Sequence, residues 1–216
     1  MDIRLALATL ALMTTPLWAQ QKMADMDKPV EGGGQLPAGW SARTDKDAAM
    51  TNVKIAPMGG GIHATTGPAV IFWREADAPA TAFHTVATFT QTKAPEHPEA
   101  YGLFIGGKDL KGAGQSYTYF VVRQDGMFLI RAREGATTKN ITTGWTANDA
   151  IVKKDDAGKA TNKLEILVGK DKVTFSANGK EVFSMPAAAG AMNGIVGLRV
   201  NHNLDVHIDG FGVHKM

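Results

Sequence analysis

Cysteine is absent from all 216 residues, so no disulfide framework holds this chain together and no cysteine nucleophile is available. The core alone must supply stability. Charge of one sign is also lacking: Lys and Arg total 23 against 21 Asp and Glu, a net charge of +2, with both signs scattered. Nucleic-acid binders gather basic residues on one face with aromatics between them, which this chain does not do, so nucleic acid is excluded as a partner. No G-x-S-x-G elbow occurs, and Gly59-Gly60-Gly61 lacks the following Lys-Ser/Thr of a phosphate-cradling loop. An amphipathic helix of three turns is missing beyond the first residues, since the run Ala187-Ala188-Ala189 is short and lies between Pro186 and Gly190. No internal repeat is present, which disfavours propellers and solenoids.

The chain opens on the three parts of a secretory signal. Arg4 gives a positive start, Leu5 to Met13 a short apolar run, and Leu17-Trp18-Ala19 a small residue at the cleavage position before Gln20. The run is shorter than the roughly 20 residues of a membrane helix. Residues 1–19 are therefore read as a signal peptide, and the protein is expected in the periplasm or outside the cell without a membrane span. Residues 20–35 are polar and end in Gly32-Gly33-Gly34, the composition of a flexible tether. Residues 36–216 form the expected folded domain, and a chain of this size buries about 70% of its unfolded surface.

Within that domain the dominant hydrophobic period is two. Leu164, Ile166 and Val168 share one face of a segment, as do Val173, Phe175 and Ala177 in the next, and 204–209 alternates strictly. Successive side chains of a strand point to opposite faces, so these are half-buried strands. Residues 68–73, 82–91, 100–106, 117–123, 127–133 and 195–201 are rich in the β-branched and aromatic residues that strands favour. Asp125-Gly126 and Asn178-Gly179 separate strand patterns, because such pairs accept the positive φ of tight hairpins, and Gly169-Lys170-Asp171 makes a third short connection. The fold class is all-β, a two-sheet antiparallel sandwich.

The succession Tyr101-Gly102-Leu103-Phe104-Ile105-Gly106-Gly107-Lys108-Asp109, Tyr117-Thr118-Tyr119-Phe120-Val121-Val122-Arg123, Asn162-Lys163-Leu164-Glu165-Ile166, Phe175-Ser176-Ala177-Asn178-Gly179-Lys180 and Gly194-Ile195-Val196-Gly197-Leu198-Arg199 resembles the laminin-G-like and concanavalin A-like jelly rolls of bacterial exported proteins. It is similar in particular to the 3-keto-disaccharide hydrolase-type domains, from about Trp40 to His214. The resemblance implies two stacked sheets, one of them curved, with a ligand on its concave outer face or rim loops. Lectins, hydrolases and structural modules share such folds, so activity must be argued from the site.

Asp205, His207 and Asp209 share one face of the last strand and are the candidate catalytic residues. Concanavalin A-like glycoside hydrolases carry alternating carboxylates on one strand, but with glutamates at the ends. Carboxyls must stand about 5–9.5 Å apart for hydrolysis, whereas Cα atoms four residues apart on a strand are about 13 Å apart. A solvated outer face is the alternative. Trp73, Tyr117, Tyr119 and Arg123 are the candidate ligand-binding residues, because sugar faces combine aromatic rings with polar groups; core packing is the competing role of the rings.

No cofactor motif is evident. A Ca²⁺ ion would be drawn to Asp155-Asp156-Ala157-Gly158 with Asn162, where Lys153, Lys154 and Lys159 oppose it. His202 and His207 with Asp205 offer zinc donors, but an odd separation puts the two imidazoles on opposite faces of a strand. Met23, Met26, Met50 and Met58 lack the regular spacing of a copper site. The leading expectation is an exported module that binds carbohydrate or an envelope partner without catalysis. A keto-disaccharide-cleaving hydrolase and an accessory domain with no small ligand are the alternatives.

Overall fold

The computed structural model describes residues 26–46, 50–187 and 192–216. The expected signal peptide lies outside them. Fifteen strands follow in chain order: β1 Trp40–Thr44, β2 Val53–Met58, β3 Gly61–Thr66, β4 Val70–Arg74, β5 Phe83–Gln91, β6 Ala100–Lys108, β7 Ser116–Arg123, β8 Met127–Glu134, β9 Thr137–Asn140, β10 Thr146–Ala147, β11 Ala160–Val168, β12 Lys172–Ala177, β13 Lys180–Pro186, β14 Ile195–Val200 and β15 Asp205–Lys215. They form an eight-stranded sheet in the order β1-β4-β14-β6-β7-β8-β10, with β9 also on β8, and a seven-stranded sheet in the order β13-β12-β11-β5-β15-β3-β2. Every strand pairing is antiparallel. This is the two-sheet jelly-roll sandwich expected from the period-two pattern.

The inner faces interdigitate into one core. Val70 and Phe72 of β4, Leu103 of β6, Phe120 of β7 and Leu198 of β14 meet Phe89 of β5, Ile166 of β11, Phe175 of β12 and Val206 of β15. Tyr101 is also inside, and its hydroxyl accepts from Asn162 Nδ2 at 3.1 Å. Burial pushes that phenol up to about 12, against the Asn162 hydrogen bond, so it stays neutral.

Asn178 and Gly179 both take positive φ, 52° and 79°, in the β12–β13 hairpin, the conformation this pair favours. The β7–β8 hairpin differs: Gly126 alone has positive φ, 85°, and its N–H returns to Arg123 O. β2 and β3 escape the sequence pattern because their inward residues are small or few, and Pro57 lies in β2, an edge strand where no ladder donor is lost. From Met26 onward, the stretch expected to be a tether is bound down. Ile55 N donates to Gly33 O at 2.8 Å, Gly33 N donates to Val53 O at 3.2 Å, and Asn203 bridges Lys28 N and Met26 O. A Cβ at Gly34 would lie 1.7 Å from Ile55 O, and its φ is +87°. The triple glycine here permits backbone to lie against the exposed edge of β2 and shield it.

Candidate functional site

On the outer face of the eight-stranded sheet, alternation does not leave polar residues in water. Trp73, Gly197, Phe104, Tyr119 and Arg131 are register partners in one row across β4, β14, β6, β7 and β8. Ile71 and Arg199 sit in the next row, and Tyr117 opposes Arg133. Trp73, Tyr117, Tyr119 and Arg199 are each at most 4% exposed. With Ile71, Ala100, Leu110, Val121 and Leu129 the rings make a second apolar cluster outside the sandwich core. Gly197 makes room for it, since a Cβ there would approach Phe104 Cε1 to 2.5 Å.

Two connections cover this cluster. Trp73 Nε1 donates to Glu75 Oε1 at 3.1 Å, and Lys111 holds the same carboxylate at 3.0 Å, which ties the β4–β5 loop to the β6–β7 loop. Arg43 of β1 reaches the β6–β7 loop and donates to the carbonyls of Leu110 and Gly112. On the other flank Trp145 stacks on the Arg123 guanidinium, 4.3 Å from ring centroid to Cζ. Asp125 grips that guanidinium with both carboxylate oxygens.

At one corner the cover leaves an open cleft of about 490 Å³, lined by Arg43, Asp45, Lys46, Gln115, Arg133 and the small residues Ala113, Gly135 and Ala136. Its hub is Asp45. Arg199 holds both carboxylate oxygens at 2.8 Å, and Arg133 Nη2 adds a third bond of 2.8 Å to Oδ2. Arg199 also donates to Tyr117 OH at 3.0 Å and lies 4.8 Å over the Tyr119 ring. Burial alone would raise the Asp45 carboxyl, but the Arg199 hydrogen bonds and the charges of Arg199, Arg133 and Arg43 hold it below its usual range. Asp45 is therefore a fixed anion, suited to orient arginines and accept hydrogen bonds rather than to donate a proton. Burial raises the Tyr117 phenol despite the nearby arginines, so it too stays neutral.

β1 and β8 are separated by four strands, roughly 24 Å in a flat sheet. Asp45 lies beyond the last residue of β1, in the connection that follows, and from there it meets Arg133 of β8.

The structure puts Trp73, Tyr117, Tyr119 and Arg123 on this one face, the three rings buried as its floor and Arg123 at its flank. Asp205, His207 and Asp209 also share one face, but it is the outer face of the seven-stranded sheet, on the far side of the sandwich. There Asp205 meets Thr65 at 3.1 Å, Lys93 at 3.2 Å, His63 at 3.1 Å and Thr92 at a short contact. Burial would raise its carboxyl, but the Thr92 and Lys93 hydrogen bonds and the charges of Lys93 and His63 hold it lowered. His207 stacks on its cross-strand partner His63, with centroids 6.2 Å apart, and exposed Asp209 caps Gly210 N. Asp205 and Asp209 thus have separate hydrogen-bond partners there.

Among the described residues no group of three His, Asp or Glu side chains is placed to hold a metal ion. Asp155 closes its own turn onto Lys159 N, and Asn162 points inward to Val152, Asn178 and Tyr101, so the oxygens proposed for Ca²⁺ face different ways. His202 binds Glu99 and Asp27, away from His207. Met23 lies outside the described residues, and Met26 and Met58 are exposed.

Arg43, Asp45, Arg133 and Arg199 escape the sequence reading because they are far apart in the chain. One signal does exist. The Asp125-Gly126 turn sets the β7–β8 register, which puts Tyr119 opposite Arg131 and Tyr117 opposite Arg133.

No protein-family model matches the chain, and no curated protein matches it in sequence. Solved structures do match. A carbohydrate binding module, CBM66 from Bacillus subtilis, superposes with a TM-score of 0.59 at 12% identity, over 82% of this chain and 96% of that one. The carbohydrate recognition domain of Emp46p in its metal-free form gives 0.54 at 10% identity, over 82% and 88%. A protein of unknown function with a galectin-like fold from Bacillus subtilis gives 0.50 at 14% identity, over 82% and 89%. At these identities the likeness is one of fold. The chain has the jelly-roll sandwich of the concanavalin A-like and galectin-like folds.

Proposed function

We propose that this protein is an exported, non-catalytic carbohydrate-binding module that engages a glycan, of the cell envelope or its surroundings, through the cleft over the eight-stranded sheet. The observation that carries the reading is the cleft itself. An opening of about 490 Å³ is walled by arginine, carboxylate and amide groups and backed by buried tyrosines. That size lies within the range of ligand pockets. Arg43, Arg133 and Arg199 stand on sheet strands beside a packed aromatic floor, so little ordering of these side chains is required when a ligand arrives. The fold likeness to two carbohydrate-binding domains supports the reading, and export rests on the leader at residues 1–19.

A glycan array followed by calorimetric titration of the best hit tests this. Arg133→Met should weaken binding about tenfold or more, the cost of losing a charge-assisted hydrogen bond. Asp205→Asn should leave it unchanged. Binding lost in Asp205→Asn or His207→Ala and kept in Arg133→Met would move the site to the other sheet. Cleavage of the bound glycan would make the protein an enzyme.

A further inference from the structure

We infer that the ligand of this cleft is an acidic saccharide, one whose sugar rings carry carboxylate groups. The inference rests on the carbohydrate reading above and adds the chemical class. Its first support is charge. Arg133 and Arg199, with side chains only 8% and 5% exposed, share the carboxylate of Asp45, so among the described residues two buried cations are paired with one anion. Exposed Lys46 adds a further cation to the wall. Buried charge is costly unless matched, and one anionic group in the cleft would match it.

The second support is the state of the donors. The Nε–H groups of Arg133 and Arg199 are buried and have no acceptor among the described residues. Arg133, which lines the cleft, spends Nη2 on Asp45 and makes a long 3.3 Å contact from Nη1 to Gly135 O, so Nε is the nitrogen left without an acceptor among the described residues. The third is shape. Asp45 shows how the cluster takes a carboxylate, with two parallel bonds from one planar guanidinium and a third from another. A second carboxylate would meet Arg133 in the same manner, with Lys46 closing from solvent. Ala113, Gly135 and Ala136 put no bulk in the way.

The test compares a short oligogalacturonate with its methyl ester, which keeps the sugar and removes the charge, and with a sulfated galactan oligosaccharide. The protein should bind the acid at least about tenfold more tightly than the ester, and added salt should erode the difference. Lys46→Ala, at an exposed position that does not threaten folding, should lower affinity for the acid severalfold and for the ester by less. Arg133→Lys keeps the charge but loses the planar fork, and should weaken the acid more than Lys46→Ala does. Equal affinity for acid and ester overturns this inference and leaves the carbohydrate reading standing. Tighter binding of the sulfated chain overturns the carboxylate assignment. Binding to no saccharide on the array or in titration removes both readings.

Discussion

The outer face of the seven-stranded sheet carries His63, Thr65, Thr88, Thr90, His207 and Asp209, all half-buried or exposed. The outer face of the eight-stranded sheet carries Trp73, Phe104, Tyr117, Tyr119 and Arg199, all buried. Both sheets have the same inner chemistry and the same alternation, yet one turns a polar surface to water and the other buries a second apolar layer. The polar face follows the ordinary rule for an antiparallel sheet with one wet side. The aromatic face departs from it. Such a departure needs loops to cover the rings and buried partners for the arginines among them. The cleft opens where that cover stops, so chemistry has collected on the face that breaks the pattern.

The strongest test of this contrast is to delete equal positions on each face. Trp73→Ala removes a fully buried ring beneath the Glu75 and Lys111 tie and should cost about 4 kcal/mol. Thr90→Ala, at a half-buried position on the other outer face, should stay within about 0.5 kcal/mol. Urea midpoints at constant m-value measure both. Equal losses would mean that the aromatic layer is cover and not core.

Asp45 gives the next largest effect. Asp45→Ala strands two buried guanidinium groups and should cost about 3 kcal/mol. Arg133→Met in that background should recover part of the loss, because it removes one of the stranded charges, and the double-mutant cycle reads the coupling. Additive losses would show that Asp45 and Arg133 do not depend on one another, which would remove the cluster as a unit.

The same two faces explain what could be read from the chain alone. The inner core was legible because Leu164, Ile166 and Val168 alternate with Lys163, Glu165 and Leu167, and only Leu167 breaks the pattern. The β12–β13 turn was legible from Asn178-Gly179. The aromatic face was half legible: Tyr117 and Tyr119 alternate with Thr118 and Phe120, so one face had to be core, and both proved to be buried. The cleft was not legible. Residues 45, 133 and 199 meet only through sheet order and the course of the chain after β1, which no local period encodes. Gly32-Gly33-Gly34 misled for a related reason, since glycine serves close backbone approach as well as flexibility, and the β2 edge that demands it lies some twenty residues on.

The smallest effect sharpens the comparison most finely. Asp45 and Asp205 are both carboxylates held below their usual range, one by buried arginines and the other by Thr92, a largely exposed Lys93 and His63. A lowered native value means that the unfolded chain takes up the proton first as pH falls. Each pair's contribution is therefore complete at neutral pH, starts to fade near pH 4 and is gone below the native value. Asp205→Asn should be less stable than the parent by no more than about 1 kcal/mol at neutral pH, because Lys93 is screened by water. That gap should close on acidification, measured by urea midpoints from neutral pH down to about pH 3. The Asp45→Asn gap should start larger and close over the same side of pH 4, since its partners are arginines that stay charged throughout. If the Asp205 gap persists unchanged in acid, the threonine hydrogen bonds hold that corner and its charge is incidental. The polar face would then owe nothing to ion pairing, and the contrast between a face that buries its charges and one that leaves them in solvent would be complete.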